Sequence, residues 1–481
     1  MKKLLPTVLC LILIVSIIIT VVSSFEPVKD VPPSDGQDTS TQGQSSQAVK
    51  YPYVPTKKNK KEVISEEGFY LSGSGNYVKR ETVDKYPQIT NLPTLYINID
   101  GGEESIQRDV YSQATYSFAS DHVIDSYYEK NMEIKGRGNW SWGFAQKPYT
   151  IKLAEEADLC GMGDAKTWVL ISVHSDKTMM HNFMTQKLAK NMGLEGSCDN
   201  EYIDVVCNGE YIGTYVLTEK IQFHENRIDM EEDSGMLFEI EMVYRHTCEG
   251  NCLILHENAS NPGNSIHMRL IEYGDCDLDN LTKEQTAQLK TDMKNAQEQI
   301  DNISRAMQGN YYDYLKTVID VESFVNWYLL NELTRNYDSA FVTSCFCYFN
   351  SEGLLCMGPV WDFDTCYGIQ DPNYDSSRIQ DGPWFDWLIN NCPDFKREVC
   401  LRWSELRLDG TLDDFYGAID KVETHIKASE ILQHTRYPDS ELLNVPFDEA
   451  VIYFKTWLVN RVLWMDENFF IIDGIYDKEF Q

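Results

Sequence analysis

Apolar residues alternate with polar ones through the first half of the chain and recur every three or four residues through the second. In LPTLYINID (92–100), Leu95, Ile97 and Ile99 share one face and Gly101-Gly102 ends the run, the period of a half-buried strand. KPYTIKL (147–153) puts Tyr149, Ile151 and Leu153 on one face, with Thr150 and Lys152 on the other. YIDVVCNGEYIGTYVLTEKI (202–221) is two β-rich runs around Asn208-Gly209, a strong hairpin signal. Between them, 177–193 spaces Met180, Phe183, Leu188 and Met192 near the helical repeat and stops at Gly193. From about residue 280 the pattern predicts helices over 282–308, 321–336, most of 395–434, and 447–470. One hairpin interrupts them: FVTSCFCYF (341–349), a turn at Asn350-Ser351-Glu352-Gly353, then LLCMGPVWDFD (354–364). The plan is α+β and bilobal, with a strand-rich first part, a helical second part and one inserted hairpin.

The first 62 residues read differently. Lys2 and Lys3 precede an almost unbroken apolar run, Leu4 to Val22, and Val22-Ser23-Ser24 offers small residues at cleavage positions. The run also has the length to stay uncleaved and span a bilayer, with the positive end inside. Both a signal peptide and a signal anchor (1–24) predict export. Residues 25–62, rich in Pro, Ser, Gln, Asp and Lys, predict a disordered spacer. No comparable gap follows, so 63–481 reads as one folded unit.

Composition narrows the function. The 481 residues are 42% hydrophobic and 12% aromatic, enough to bury a large core. Lys and Arg number 42 against 75 Asp and Glu, a net charge of −33. That argues against nucleic acid, whose phosphates need clustered cations; it favours basic partners weakly, and the solubility of an exported protein accounts for it better. Of 13 cysteines, Cys10 falls in the leader, and the rest are too sparse for a disulfide framework. His246, Cys248, Cys252 and His256 crowd eleven residues, but their spacing is not a standard zinc pattern. A short Cys248–Cys252 disulfide or free thiols suits them better. Cys345, Cys347, Cys356 and Cys366 around the hairpin read as small core residues.

The chemistry gathers at that hairpin. The helix 321–336 carries a stripe of Val321, Phe324, Val325, Tyr328, Leu329 and Leu333 and delivers Asn336-Tyr337-Asp338 just past its end. The second strand runs into Trp361-Asp362-Phe363-Asp364. Asp338 and Asp362, 24 residues apart, thus flank one hairpin and converge at its open end. Phosphoryl transfer needs this layout, one Asp orienting the acceptor hydroxyl and another holding Mg²⁺ against nucleotide phosphates. Solvated helix-end acids would look the same, and a glycosidase would also pair carboxylates, with Trp140, Trp142 and Trp361 stacking on sugar.

Five stretches shift that balance: KGRGNWSWGFAQKPYTIKL (135–153), WVLISVHSDKTMMHNFMTQKLAKNMG (168–193), VVCNGEYIGTYVLTEKI (205–221), FVNWYLLNELTRNYDSA (324–340) and GPVWDFDTCYG (358–368). In this order, and with KTWLVNRVLWMD (455–466) closing the set, the chain resembles the CotH kinase family. These are the spore-coat protein H-like atypical kinases with a divergent bilobal protein-kinase-like fold. GxxxxGK[ST], a kinase Gly-rich loop and an HRD triplet are absent.

The resemblance implies a catalytic Asp338 with Asn336 shaping its loop. It implies Mg²⁺ on Asp362, with Asp364 as second ligand, and ATP phosphates held by Arg137 and Lys147 or Lys152. Strand alternation favours Lys152, which it aims off the apolar face. Glu219 marks the connection between lobes where adenine would dock. His181 stands where a basic Arg-like residue is expected, and Ser344 where a kinase places an Asn metal ligand. The implied activity is transfer of the ATP γ-phosphoryl group to Ser or Thr of a coat or surface protein, a basic Ser-rich one on the charge argument. The alternatives are a degraded, surface-binding relative and, last, carbohydrate processing.

Overall fold

In the computed structural model the described residues are 64–471, except 66–67, 226, 230–234, 246–250, 380–381 and 440–441. The leader 1–24 and spacer 25–62 lie outside them, as do His246 and Cys248. All described residues belong to one compact unit, Ala48–Gln481.

A small hairpin, β1 (Tyr70–Leu71) and β2 (Tyr77–Val78), and helix α1 (Arg80–Lys85) lead into seven longer strands. These are β3 (Thr94–Ile99), β4 (Ser112–Ala119), β5 (Tyr127–Gly136), β6 (Tyr149–Asp158), β7 (Asp164–Ser172), β8 (Asn200–Cys207) and β9 (Glu210–Glu219). They close a barrel in the order β3-β4-β5-β6-β7-β9-β8. Closure is made by one parallel pairing, Thr94↔Asp204 through Ile97↔Cys207. The β8–β9 turn is Asn208-Gly209, both at positive φ (48° and 88°), the two-residue turn whose twist matches the strands. The alternating residues fill the barrel: Leu95, Ile97, Phe118, Ile134, Ile151, Trp168, Tyr215 and Leu217 form one buried cluster.

Helix α2 (His181–Asn191) falls between β7 and β8. Beyond the barrel, β10 (Met236–Met242), β11 (Cys252–His256), β12 (Ile266–Tyr273), β13 (Cys345–Phe349) and β14 (Leu355–Met357) form a second sheet, ordered β11-β12-β10-β13-β14. One face packs through Leu237, Phe346, Tyr348 and Trp361 toward Val169 of the barrel. The other, with Phe238, Ile240, Cys345 and Cys347, packs on the helices. Those are α3 (Lys283–Gln308), α4 (Tyr312–Leu315), α5 (Val321–Thr334), α6 (Pro383–Asn391), α7 (Pro393–Leu408), α8 (Thr411–Arg436) and α9 (Phe447–Phe469).

The strand-rich and helical halves stand as the sequence predicts. Three details differ. The first half closes into a barrel, because β3 and β8 meet across a hundred residues. The hairpin is no isolated insert: β13 is buried at all five positions and needs β10 as its second neighbour. Its second strand ends at Met357, so Trp361-Asp362-Phe363-Asp364 is loop. Within 395–434, Gly410 at φ 88° separates α7 from α8. Cys252 is disulfide-bonded, and the ten other described cysteines are free. Among the described residues no helix is long and apolar enough to cross a membrane.

A buried ion pair joins α9 to α5. Arg461 and Glu332 are both fully buried, with Nη2 2.8 Å from Oε1. Arg461 also donates to Glu332 O, Tyr374 O and Ser376 O. Glu332 accepts the Arg378 and Ile379 amides at 3.0 and 2.9 Å. All five guanidinium N–H groups thus have partners, which makes burying this charge tolerable. Arg461→Ala leaves Glu332 uncompensated and should cost about 3–5 kcal/mol, read as a lower urea midpoint for the full chain.

Candidate active site

A cleft of about 640 Å³ opens between the barrel, β10 and β12 of the second sheet, and the loops that flank the hairpin. Six carboxylates (Asp109, Glu239, Glu241, Asp338, Asp362, Asp364) and four guanidiniums (Arg108, Arg137, Arg245, Arg269) line it. Carboxyl groups outnumber guanidiniums there by two.

Asp338 arrives from α5. That helix ends on Arg335 in the left-handed conformation, φ 48°, and Arg335 is anchored on Asp371 and Ser376. Asn336 is buried. Its Oδ1 accepts the Asp338 amide at 3.1 Å and its Nδ2 donates to Asn331 Oδ1 at 3.3 Å. The Asp338 carbonyl accepts the Val342 amide at 2.9 Å. With the backbone held on both sides, the side chain faces the cleft. Burial and then the Asp362 charge push its pKa up to about 6, against the pull of Arg245 and Arg378.

Asp362 and Asp364 line the same cleft. Asp362 sits at φ 67°, a strained backbone for a non-glycine residue that the surroundings must enforce. Enforcement comes from α2: Asn182 Oδ1 accepts the Phe363 amide and Gln186 Nε2 donates to Val360 O, both at 2.7 Å. Just before α2, the Ser175 hydroxyl donates to Asp364. Burial and then the charge of Asp362 drive the Asp364 carboxyl well above the usual range.

The other expected residues divide. Arg137, just past β5, lies in the cleft 5.4 Å from the Trp361 ring. Burial lowers its pKa, while Asp362 and Glu239 oppose that shift. Ser344 lines the cleft, its hydroxyl 3.5 Å from Asp362 Oδ2. Lys147, Lys152 and Glu219 are not among the lining residues. Lys147 Nζ donates to Trp142 O at 2.9 Å and lies 4.8 Å from that ring, bracing its own turn. Lys152 is exposed on β6, beside Glu133 and Thr167 on the neighbouring strands. Glu219 is buried at the end of β9, accepts the Asp199 amide at 2.8 Å and faces Arg227 at 3.7 Å; burial pushes it up to about 7. His181 is packed between Tyr367 and Phe454, 3.6 Å from Asp176.

Several residues of the site carried no sequence signal of their own. Arg269 bridges Glu239 and Glu241, and burial and then Glu241 push Glu239 up to about 7. Arg245 stands 3.7 Å from Asp338. Ser175 and Asn182 fall within the stretch 168–193 that carries part of the family resemblance.

A family model described as CotH kinase protein matches residues 134–465. The chain belongs to the CotH kinase family. The CotH match runs from the end of β5 through α9 and so contains Arg137, Asp338, Asp362, Asp364 and the Arg461–Glu332 pair. A search of the curated proteins finds no match.

Among the described residues of this CotH chain, no three His, Cys, Asp or Glu side chains converge as a protein-only metal cage. Mg²⁺ asks for less: one or two carboxylates, the remainder water and phosphate oxygens. Asp362 and Asp364, two hard oxygen donors in one cleft, fit it.

Asn182→Ala would strip the Phe363 amide of its acceptor, at a cost of about 1–3 kcal/mol. The expected result is a lower thermal midpoint, with weaker ligand-induced stabilisation from the loosened Asp362–Asp364 loop.

Proposed function

We propose that this protein is an atypical protein kinase, exported or membrane-anchored with its main domain outside. It transfers the γ-phosphoryl group of ATP to Ser or Thr of a coat or surface protein in a Mg²⁺-dependent reaction. The observation that carries this reading is that Asp338 and the Asp362–Asp364 pair line one arginine-bearing cleft.

In the proposed reaction the acceptor hydroxyl hydrogen-bonds to Asp338 and attacks the γ-phosphorus. The new O–P bond forms as the bond to the β–γ bridging oxygen breaks. ADP leaves with the electron pair, and Asp338 takes the hydroxyl proton. Arg137, on the Asp362 side, holds the phosphates. A Mg²⁺ held by Asp362 and Asp364 would neutralise charge on the nucleotide. Positioning and charge neutralisation, more than a strong base, supply most of the rate in such transfers. The net charge of −33 favours basic, Ser-rich acceptors and disfavours nucleic acid. The uncleaved apolar run 4–22 would supply any membrane attachment.

A bilobal kinase-like reading of the fold is supported by the order of its parts: barrel, sheet with hairpin, then helices, with the acids on loops flanking the hairpin. One observation favours the rival reading, a surface-binding protein without transfer. Ser344, a weak ligand, stands beside Asp362 where a kinase has a further metal-binding side chain.

The variants separate the two. Asp362→Ala should weaken Mg-ATP binding in calorimetric titration. Asp338→Ala should leave binding nearly intact while radiolabel transfer collapses, since only one acid meets the nucleotide in the ground state. Parent-like binding and transfer in both would leave the binding-protein reading standing. Arg137→Gln should weaken Mg-ATP about tenfold or more, as loss of a charged hydrogen bond does; Lys152→Gln, outside the cleft, should not.

The acid limb of the pH profile follows from Asp338. Its carboxylate form takes the proton, and its pKa is raised to about 6. Below about 6, kcat/KM should fall tenfold per pH unit, and above it level off. A profile flat down to pH 4.5 would remove Asp338 from that role.

A further inference from the structure

Two guanidiniums act on Asp338, Arg245 from the cleft lining and Arg378 from its stack on the lining residue Tyr337, and the transfer step uses neither. Arg245 Nη2 is 3.7 Å from Asp338 Oδ1, longer than a charge-assisted hydrogen bond, and its guanidinium lies 5.8 Å from the Tyr244 ring. Arg378 stacks 4.2 Å above Tyr337, and its charge also acts on Asp338. Arg137 attends the other acid, Asp362. Arg108 pairs with Asp109 and Arg269 with Glu239 and Glu241, so Arg137 is the cleft arginine beside Asp362 and Arg245 the one beside Asp338. Tyr244 and Tyr337 are 59% and 39% exposed, so this pair of stacked arginines marks the open mouth.

Resting on the kinase reading, we propose that Arg245 and Arg378 bind a phosphate already present on the acceptor, two residues from the hydroxyl to be modified. A guanidinium presents a planar fork that matches phosphate, and stacking on a ring pre-orients it. A dianion answers two cations where a carboxylate answers one. The spacing follows from extended-chain geometry, in which residues i and i+2 share a face about 7 Å apart. A hydroxyl on Asp338 and a phosphate oxygen on Arg245, each one hydrogen bond of about 2.8 Å from side chains 3.7 Å apart, can lie up to about 9 Å from one another, a span that includes that separation. Each transfer onto a Ser-rich segment then creates the ligand that docks the next serine. The acidic floor of the cleft and the cationic mouth read different parts of one acceptor.

The test uses the full chain, Mg-ATP and two Ser-rich peptides that differ only in serine or phosphoserine two residues from the acceptor. The phosphopeptide should show at least about tenfold higher kcat/KM, carried by KM. Arg245→Gln should bring the ratio near one while KM for ATP stays at the parent value. Equal rates for the two peptides overturn the proposal. So does an equal gain from aspartate at that position, or an Arg245→Gln effect confined to ATP. Affinity of the fluorescent phosphopeptide over its serine twin, measured without ATP, separates this docking from the transfer chemistry. A preference that Arg245→Gln abolishes sustains the docking even where transfer fails. Equal affinity overturns it even where transfer succeeds.

Discussion

The buried pair of Arg461 and Glu332 fixes the part of the molecule on which the candidate chemistry depends. Its members come from α9 and α5, and between them they collect the Tyr374 and Ser376 carbonyls and the Arg378 and Ile379 amides. The end of α5, the loop that follows the second acid and the C-terminal helix are thereby one rigid piece. Burial pushes Arg461 down to about 10, still high enough to keep its charge at neutral pH. The residues just past this anchor are Arg335, Asn336 and Asp338, so the placement of one carboxyl in the cleft descends from a charge buried far inside. Such a pair contributes little net stability against an apolar substitute of equal volume; here it gathers the 374–379 loop around one helix end.

The other wall is held by different means. The barrel interior is filled with side chains and is a frame, while the working contacts leave it through the turn after β7 and through α2. Ser175, Asn182 and Gln186 reach Asp364, Phe363 and Val360, holding Asp362 in a backbone conformation it would not choose alone. Two walls built on separate elements meet in a cleft lined by two more carboxyl groups than guanidiniums. An arrangement with that imbalance, with hard oxygen donors and with arginines at both ends, suits a metal-bound polyphosphate better than a neutral sugar.

Much of this was legible in the sequence where the pattern is local. The stripe on 321–336 and the buried run of β13 announced a packed helix and hairpin, and the acids at their ends met as spacing required. The end of α2 was readable from Gly193, whereas α5 stops at Thr334, two residues short of the expected 336. The barrel was not, because its closing pair joins Thr94–Ile97 to Asp204–Cys207 and no short-range period encodes a parallel contact over that separation. The same holds for the second sheet, whose central strand lies a hundred residues before the hairpin it pairs with. Alternation correctly turned Lys152 off the apolar face, but on a closed barrel that direction is solvent, away from the cleft. Arg245 follows β10 in no periodic stretch, so only the fold brings it to Asp338.

The account centres on a cleft that takes up nucleotide and divalent metal together. Its most direct test is the melting temperature of the full chain with ATP, with Mg²⁺, and with both, beside Asp362→Ala under the same conditions. A ligand that binds only the folded state raises the midpoint in step with its saturation. The account predicts a clear rise with Mg-ATP, little with either alone, and most of the rise lost in the variant. No rise with Mg-ATP, or an equal rise in Asp362→Ala, would contradict it.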